Sequence, residues 1–266
     1  MIQTFFYSLL LAVLILPTPS LAQTSAGVNT GATVAAPGVT ASVAIDAKLV
    51  ASKEKASKEI DRRVAALSDI NTRVQGMQKV TDAFKQNLGA AIQTQSSALT
   101  ALKAKINAGA DAEVIKADIK SISQAYSVFG LFMQQARIAA MADREVVVAS
   151  MMATLGAKLQ ARLTAAQAAG ADVTALATAL TDLGAKISNA NTQAQAAVSA
   201  TAVLTADGSD KAKMAANAAA LKTARTNLDI AHKDLQAAQK NIQTIILGLK
   251  KINVSAAATT TTSVTP

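Results

Sequence analysis

The segment LKTARTNLDIAHKDLQAAQKNIQTIILGLKKI, residues 221–252, decides the fold class of this chain. Its apolar residues recur at alternating steps of three and four, and a large side chain often alternates with alanine. A seven-residue repeat of this kind is typical of a helix that packs along another helix as in a coiled coil. The repeat comprises Leu221, Ala224, Leu228, Ala231, Leu235, Ala238, Ile242, Ile245, Leu249 and Ile252. Small residues in such a seam let the two helix backbones approach closely.

Helical spacing of apolar residues extends upstream of this segment, through residues 173–197 and, less regularly, through residues 45–168. The alternation of polar and β-branched residues that indicates strands does not occur in the sequence. The spacing predicts six helices, at about 45–79, 82–107, 112–132, 135–168, 173–204 and 211–252. We therefore expect an all-α protein, an elongated antiparallel helical bundle with coiled-coil-like packing over residues 45–252.

Two copies of the sequence Ala-Gly-Ala-Asp, at residues 108–111 and 169–172, separate predicted helices. Glycine often supplies the left-handed residue that follows a helix, and aspartate often caps the first turn of the next helix. We expect a left-handed Gly109 and an Asp111 cap at the first copy. Both copies are predicted to be tight corners between antiparallel neighbours.

The segment YSVFGLFMQQARIAAM, residues 126–141, contains three of the four aromatic residues that follow the N-terminal leader. Tyr126 and Phe129 continue the apolar stripe of the preceding helix, and Phe132 falls beside it. A helix that is apolar on several sides is buried on several sides, bends or meets a partner. We expect a bend or loop within residues 130–135 whose core is filled by aromatic side chains, with Phe132 as a candidate partner contact.

Asp143-Arg144-Glu145 is a local charged cluster inside an apolar region, and Arg137 lies six residues upstream of Asp143. These side chains form either a solvated helix face or one wall of a groove. Arg137, Asp143 and Arg144 therefore join Phe132 as the candidate partner-contact residues.

Residues that carry catalysis or bind metal are scarce in this sequence. His232 is the only histidine, there is no cysteine, and a structural zinc site normally takes four such ligands. Many carboxylates have a basic residue three or four positions away, as surface helix pairs do. No nucleophile with a neighbouring base and no Gly-rich phosphate loop can be identified. We expect no enzymatic activity, no metal and no cofactor.

Residues 1–22 have the pattern of a secretory signal peptide, with an apolar core followed by Pro17 and by Ser20-Leu21-Ala22. We expect cleavage between Ala22 and Gln23 and export to the periplasm, the cell surface or the medium. A retained leader is the alternative, although the apolar core is short for a membrane span. Residues 23–44 are predicted to be a flexible lead-in, and the Thr- and Ala-rich residues 253–266 a disordered tail.

The chain is basic, with 26 Lys and Arg against 17 Asp and Glu and a formal net charge of +9. Such an excess favours association with polyanions. The longest basic runs are the pairs Arg62-Arg63 and Lys250-Lys251, without interleaved aromatic residues, so nucleic acid is not expected. The expected partner is a protein or an anionic envelope polymer, with a membrane surface and self-association as alternatives.

The segment DIKSISQAYSVFGLFMQQARIAAMADR, preceded by ALTALKAKI and followed by ISNANTQAQAAVSATAVLTADG, resembles a group of exported proteins. They are Ala-rich helical-bundle proteins of uncultivated, small-genome bacterial lineages, and the likeness covers about residues 61–251. Members tend to carry a proline just after the aromatic segment, where this chain has Gln134. The resemblance implies export and a helical bundle, and it brings no activity, cofactor or site residue.

These features together predict a non-enzymatic, exported helical-bundle protein that acts as an envelope or extracellular spacer or interaction surface. A membrane-active or lipid-associating bundle is one alternative, because the chain is basic and has an apolar patch at residues 128–133. A basic, holdase-like periplasmic chaperone is the other alternative.

Overall fold

Helices account for most of the residues that the computed structural model describes, which are 39–205 and 210–261, with side chains over 47–122, 128–205 and 210–252. The helices in this part of the chain are α1 (Val39–Gln75), α2 (Asp82–Ala108), α3 (Ala112–Ala168), α4 (Thr174–Thr201) and α5 (Lys211–Thr261). None of these residues lies in a strand. The expectation of an all-α protein built as a helical bundle is confirmed.

Buried apolar side chains form two clusters, and each cluster is enclosed by three helices. The N-terminal core lies between α1, α2 and the first half of α3, and it includes Ile60, Leu67, Val74, Ile92, Ile106 and Ile115. The C-terminal core lies between the second half of α3, α4 and α5, and it includes Leu159, Leu183, Ala194, Ala231, Leu235 and Ile245. The fold is therefore two three-helix bundles in series, the N-terminal bundle and the C-terminal bundle, and α3 belongs to both.

Polar contacts between helices give the direction of each neighbour. Asp61 of α1 pairs with Lys103 of α2, and Gln75, later in α1, donates to the carbonyl of Lys85, earlier in α2. The two helices are therefore antiparallel. In the C-terminal bundle, Asn241 bonds Asp182 and Asn189 bonds Asp234, so α4 and α5 are antiparallel too. Short connections between the helices produce this up-and-down arrangement, as expected for bundles.

The two Ala-Gly-Ala-Asp corners differ in backbone conformation. Asp111 caps α3 by accepting from the amides of Glu113 and Val114, as predicted. Gly109 has φ −62° and ψ 141°, so the expected left-handed conformation is wrong at this position. A Cβ on Gly109 would lie 3.0 Å from Ile115, which means that the absence of a side chain serves packing instead. At the second corner Gly170 is left-handed, with φ +86°.

The predicted interruption of the helix within residues 130–135 is wrong, because α3 is one helix of 57 residues where the sequence indicated helices at 112–132 and 135–168. A glycine inside a helix costs about 1 kcal/mol, and burial of Phe129, Phe132 and Met133 against the N-terminal core outweighs this cost. Gln134 keeps the backbone N–H that a proline would remove, so the helical hydrogen bonds continue through the segment.

The ends of the bundle also differ from the prediction. α1 begins at Val39, within the predicted flexible lead-in, and ends at Gln75. α5 continues to Thr261, through most of the segment predicted as a disordered tail. Extending an existing helix needs no new nucleation, and alanine has the highest helix propensity, so an Ala-rich stretch follows the helix it adjoins. The predicted signal peptide, its cleavage site and residues 23–38 lie outside the described residues.

Candidate interaction surface on the shared helix

The middle of α3, residues 132–145, lies where the two cores meet, and we call it the junction segment. Ile138 belongs to the C-terminal core, whereas Ala139, the next residue, belongs to the N-terminal core. Val198 on α4 packs against both cores. A single turn of α3 therefore contributes side chains to both bundles, and the junction segment has buried residues on two sides.

Gln135 joins the junction segment to the end of α4. Its side chain is buried, and its Nε2 donates to the carbonyl oxygen of Thr201 at 2.9 Å. Carbonyl groups in the last turn of a helix have no amide partner within that helix, and the Thr201 carbonyl accepts from the Leu204 N–H at 3.2 Å as well as from Gln135. Thr201 is fully buried, and its hydroxyl donates to the carbonyl of Val198 at 2.7 Å. The buried amide thus fixes the C-terminal end of α4 against α3.

Asp143 and Glu145 connect the junction segment to both bundles. The carboxylate of Asp143 accepts from the backbone N–H of Lys79, in the connection between α1 and α2. Glu145 Oε1 lies 3.2 Å from His232 Nδ1 on α5, and His232 Nε2 lies 3.0 Å from Gln236 Nε2. Both His232 contacts are satisfied when Nδ1 carries the proton and Nε2 accepts from the Gln236 amide. His232 is thus one member of a polar link between α3 and α5.

The four candidate partner-contact residues lie on two faces of α3 and do not form one groove. Phe132 is half-buried against the N-terminal core, and Asp143 is half-buried beside Lys79. Arg137 and Arg144 are exposed. At about 100° per residue, Arg137 lies roughly 140° around the helix from Phe132, whereas Arg144 lies within about 20° of Arg137. Phe132 and Asp143 therefore take part in packing, and the two arginines share a different face.

Arg137 and Arg144 begin a second seven-residue repeat along α3, which we call the basic face. Its members, at alternating steps of four and three, are Arg137, Met141, Arg144, Val148, Met151, Leu155, Lys158 and Arg162. The four basic residues are exposed, and Met141 and Met151 are 54% and 49% exposed. Val148 and Leu155 are half-buried at the edge of the C-terminal core. The sequence analysis identified only Arg137 and Arg144 of this face, although the seven-residue spacing of the whole repeat is visible in the sequence.

Ion pairs on the N-terminal bundle have the spacing that the sequence predicted. Glu54 pairs with Lys58 at 2.9 Å, and Glu59 pairs with Arg63 at 2.7 Å. The hydrogen bonds from Arg62 and Arg63, together with their positive charge, lower the pKa of Glu59 below its ordinary value, although partial burial opposes this. The hydrogen bond and charge of Lys58 lower the pKa of Glu54 in the same direction. These carboxylates are held in their charged form by helix neighbours.

Two open grooves lie between helices of the bundles. The first, of about 610 Å³, runs between α1 and α2, and its polar lining includes Ser68, Asn71, Gln93, Ser96 and Thr100. The second, of about 480 Å³, lies between α3 and α4 and is lined by Gly156, Leu183, Gly184, Ile187 and Asn191 among others. Hydroxyl, amide and apolar groups line both grooves, which offers hydrogen bonding and apolar contact but no ionisable side chain for acid–base chemistry.

Within residues 39–205 and 210–261, no helix has the length and apolar character needed to cross a membrane. The same residues contain no group of three or more His, Cys, Asp or Glu side chains arranged to hold a metal ion. Comparison of the chain with protein-family models, with curated proteins and with solved structures finds no match.

Proposed function

We propose that the protein is a non-enzymatic spacer and interaction protein of the cell envelope or the extracellular space. The observation that carries this proposal is α3, a helix of 57 residues that contributes to both cores. At 1.5 Å per residue such a helix is about 85 Å long. A continuous helix of this length, packed into a bundle at each end, holds two surfaces at a fixed separation.

The polar contacts of the junction segment support a rigid connection. Bending α3 there would break helical hydrogen bonds and separate Gln135 from the Thr201 carbonyl and Asp143 from the Lys79 amide. Each hydrogen bond of this kind contributes roughly 0.5–1.5 kcal/mol. The two bundles therefore resist independent motion, which is the property that a spacer requires.

Export is part of the proposal and is supported by the signal-peptide pattern of residues 1–22. The chain has no cysteine, so folding outside the cytoplasm does not depend on disulfide formation. The formal charge of +9 favours an acidic protein or an anionic envelope polymer as the partner.

The interaction role is tested by binding of the purified full chain to bacterial envelope fractions. We expect saturable binding that unlabelled protein displaces, because a specific surface offers a limited number of sites. Binding that rises linearly with concentration and is not displaced would contradict an interaction role.

The spacer role is tested with Gln134→Pro, which removes a helical hydrogen bond at the junction and costs about 3 kcal/mol or more in a helix interior. Gln134→Ala is the matched control, since it keeps the backbone N–H and also removes the contact with Arg225. We expect the control to behave as the wild type. We expect the proline variant to bind envelope fractions but to lose complexes in which the N-terminal bundle and the C-terminal bundle are bound at the same time. If the proline variant formed these two-ended complexes as well as the wild type does, the spacer role would be excluded.

A further inference from the structure

We propose that the basic face of α3 is a docking surface for an amphipathic, acidic helix of a partner protein. This inference rests on the proposed interaction function, and it names the surface and the chemistry of the partner. Three properties of the basic face support it: the spacing of its residues, the exposure of its methionines and the sign of its charge.

The spacing of the basic face fits a helical partner. Steps of four and three repeat from Arg137 to Arg162 without interruption, as they do in the seam residues of a coiled coil. The distance from the first to the last residue is 25 steps, or about 37 Å of helix. A straight stripe of this length matches a partner helix of similar length that lies along α3.

The apolar residues of the basic face remain partly open to solvent. Met141 and Met151 are about half exposed, and Val148 and Leu155 close the edge of the C-terminal core beside them. A partner helix placed along this edge would cover both methionines and continue the core by one more layer. Methionine is unbranched and adapts its shape to a partner surface, which suits a contact that forms after folding.

The charge of the basic face selects an acidic partner. Its eight positions include four cations and no carboxylate. The interhelical ion pairs of the C-terminal bundle include Lys186–Asp234 and His232–Glu145. Arg137, Lys158 and Arg162 take part in neither pair, so their charge is available to carboxylates of a partner.

A second copy of the chain and a membrane fit this face less well. Two basic faces packed antiparallel would place Arg137 of one copy opposite Arg162 of the other, and like charges in register repel. Binding at a membrane interface grows with the apolar area that is inserted, and aromatic residues commonly supply this area. The exposed apolar side chains here are two methionines, and no aromatic residue lies in the repeat.

The test uses a synthetic amphipathic peptide as the probe, with leucine at its seam positions and glutamate at the flanking positions. A matched peptide with lysine in place of glutamate is its control. Binding to the full chain is followed by fluorescence anisotropy. Because the basic face is positively charged, we expect only the acidic peptide to bind. Vesicles of phosphatidylglycerol and phosphatidylcholine form the third arm of the experiment.

Two variants with the same change in net charge separate the basic face from the charge of the whole chain. The face variant is Arg137→Glu, Lys158→Glu, Arg162→Glu, and the control variant is Lys55→Glu, Lys120→Glu, Lys213→Glu, at other exposed positions. We expect the face variant to bind the acidic peptide about tenfold more weakly or worse, and the control variant to stay within about twofold of the wild type. Met141→Ser with Met151→Ser, which changes no charge, is expected to weaken binding as well.

Three results would each overturn the inference. The first is equal binding of the two peptides, and the second is an equal effect of the two charge variants. The third is that the face variant loses vesicle binding while the acidic peptide does not bind at all. If the face variant still binds envelope fractions saturably and as tightly as the wild type, the proposed interaction function stands and its site lies elsewhere. If the wild type shows no saturable binding to envelope fractions, the proposed function itself fails, whatever the peptides do.

Discussion

Replacing Ala231 by leucine tests whether the seam between α4 and α5 is closed around small side chains. Ala231 is fully buried, as are the neighbouring seam alanines Ala194, Ala224 and Ala238. If the seam were open, three added methylene groups would stabilise the protein by roughly 2.4 kcal/mol, at 0.8 kcal/mol for each group. In the structure Ala231 has no exposed surface, so we expect the added atoms to overpack the seam, and overpacking of this kind costs about 1–3 kcal/mol. The two possibilities therefore predict opposite signs.

We expect Ala231→Leu to lower the free energy of unfolding by about 1–3 kcal/mol in urea titrations followed by circular dichroism. The control is Ala219→Leu in the same helix, where the side chain is exposed and the expected change is within about 0.5 kcal/mol. Stabilisation by Ala231→Leu would refute the close approach of α4 and α5, because it would show that the seam has room for a large residue.

Gly130→Ala and Gly184→Ala are each expected to raise the free energy of unfolding by about 0.5–1 kcal/mol, because a Cβ there meets nothing within 4 Å and alanine favours the helix. Gly248→Ala should gain less or lose stability, because its Cβ would overlap Leu176, and equal effects at all three glycines in denaturant titrations would contradict this packing. Gln135→Leu is expected to cost about 0.5–1.5 kcal/mol by removing the buried hydrogen bond to the Thr201 carbonyl, which keeps its contact with the Leu204 N–H, and a change no larger than that of Gln134→Leu would mean that the bond contributes nothing. Glu59 has a pKa below its ordinary value of 4.5, so its contribution to stability is present above that value and is lost as the pH falls through the folded-state pKa. Glu59→Gln should therefore destabilise the protein near neutral pH and converge with the wild type in acid, and a difference that grows in acid would have the wrong sign.

The C-terminal bundle was predictable because its signal is local. Each seam residue from Leu228 to Leu249 is buried, and Leu221 and Ile252, at the ends of the repeat, are half-buried. A seven-residue repeat specifies one face of a helix whatever the partner is, so periodicity alone identifies the core positions. Local capping signals likewise placed the start of α2 at residue 82 and the cap of α3 at Asp111.

The continuity of α3 was not predictable from local patterns. Gly130 and the ring of apolar residues around it are compatible with a bend or with burial on two sides, and only tertiary packing distinguishes them. Two cores meet at the junction segment, so residues such as Ile138 and Ala139 point into different bundles. A periodicity analysis that assumes one buried face per helix interprets such a segment as a break.

The candidate site was predicted in part for a related reason. Arg137, Asp143 and Arg144 were grouped because they are close in sequence, whereas a helix groups residues three, four and seven positions apart. Asp143 contacts the α1–α2 connection, and Arg137 and Arg144 belong to the basic face. The exposure of Met141 and Met151, which gives this face its apolar component, depends on where α4 and α5 pack and is visible only in the fold.

The distance between spin labels at Val114 and Met151 tests the central claim, that α3 is one helix shared by two bundles. Both residues are exposed, and they lie on opposite sides of the junction segment. The natural chain has no cysteine, so Val114→Cys with Met151→Cys directs the labels to these two positions alone. Along an unbroken helix the 37 steps between them span about 55 Å. Double electron–electron resonance is expected to give a single narrow distribution near this length. A broad distribution, or one centred well below it, would mean that the two bundles are joined by a hinge and would contradict the account.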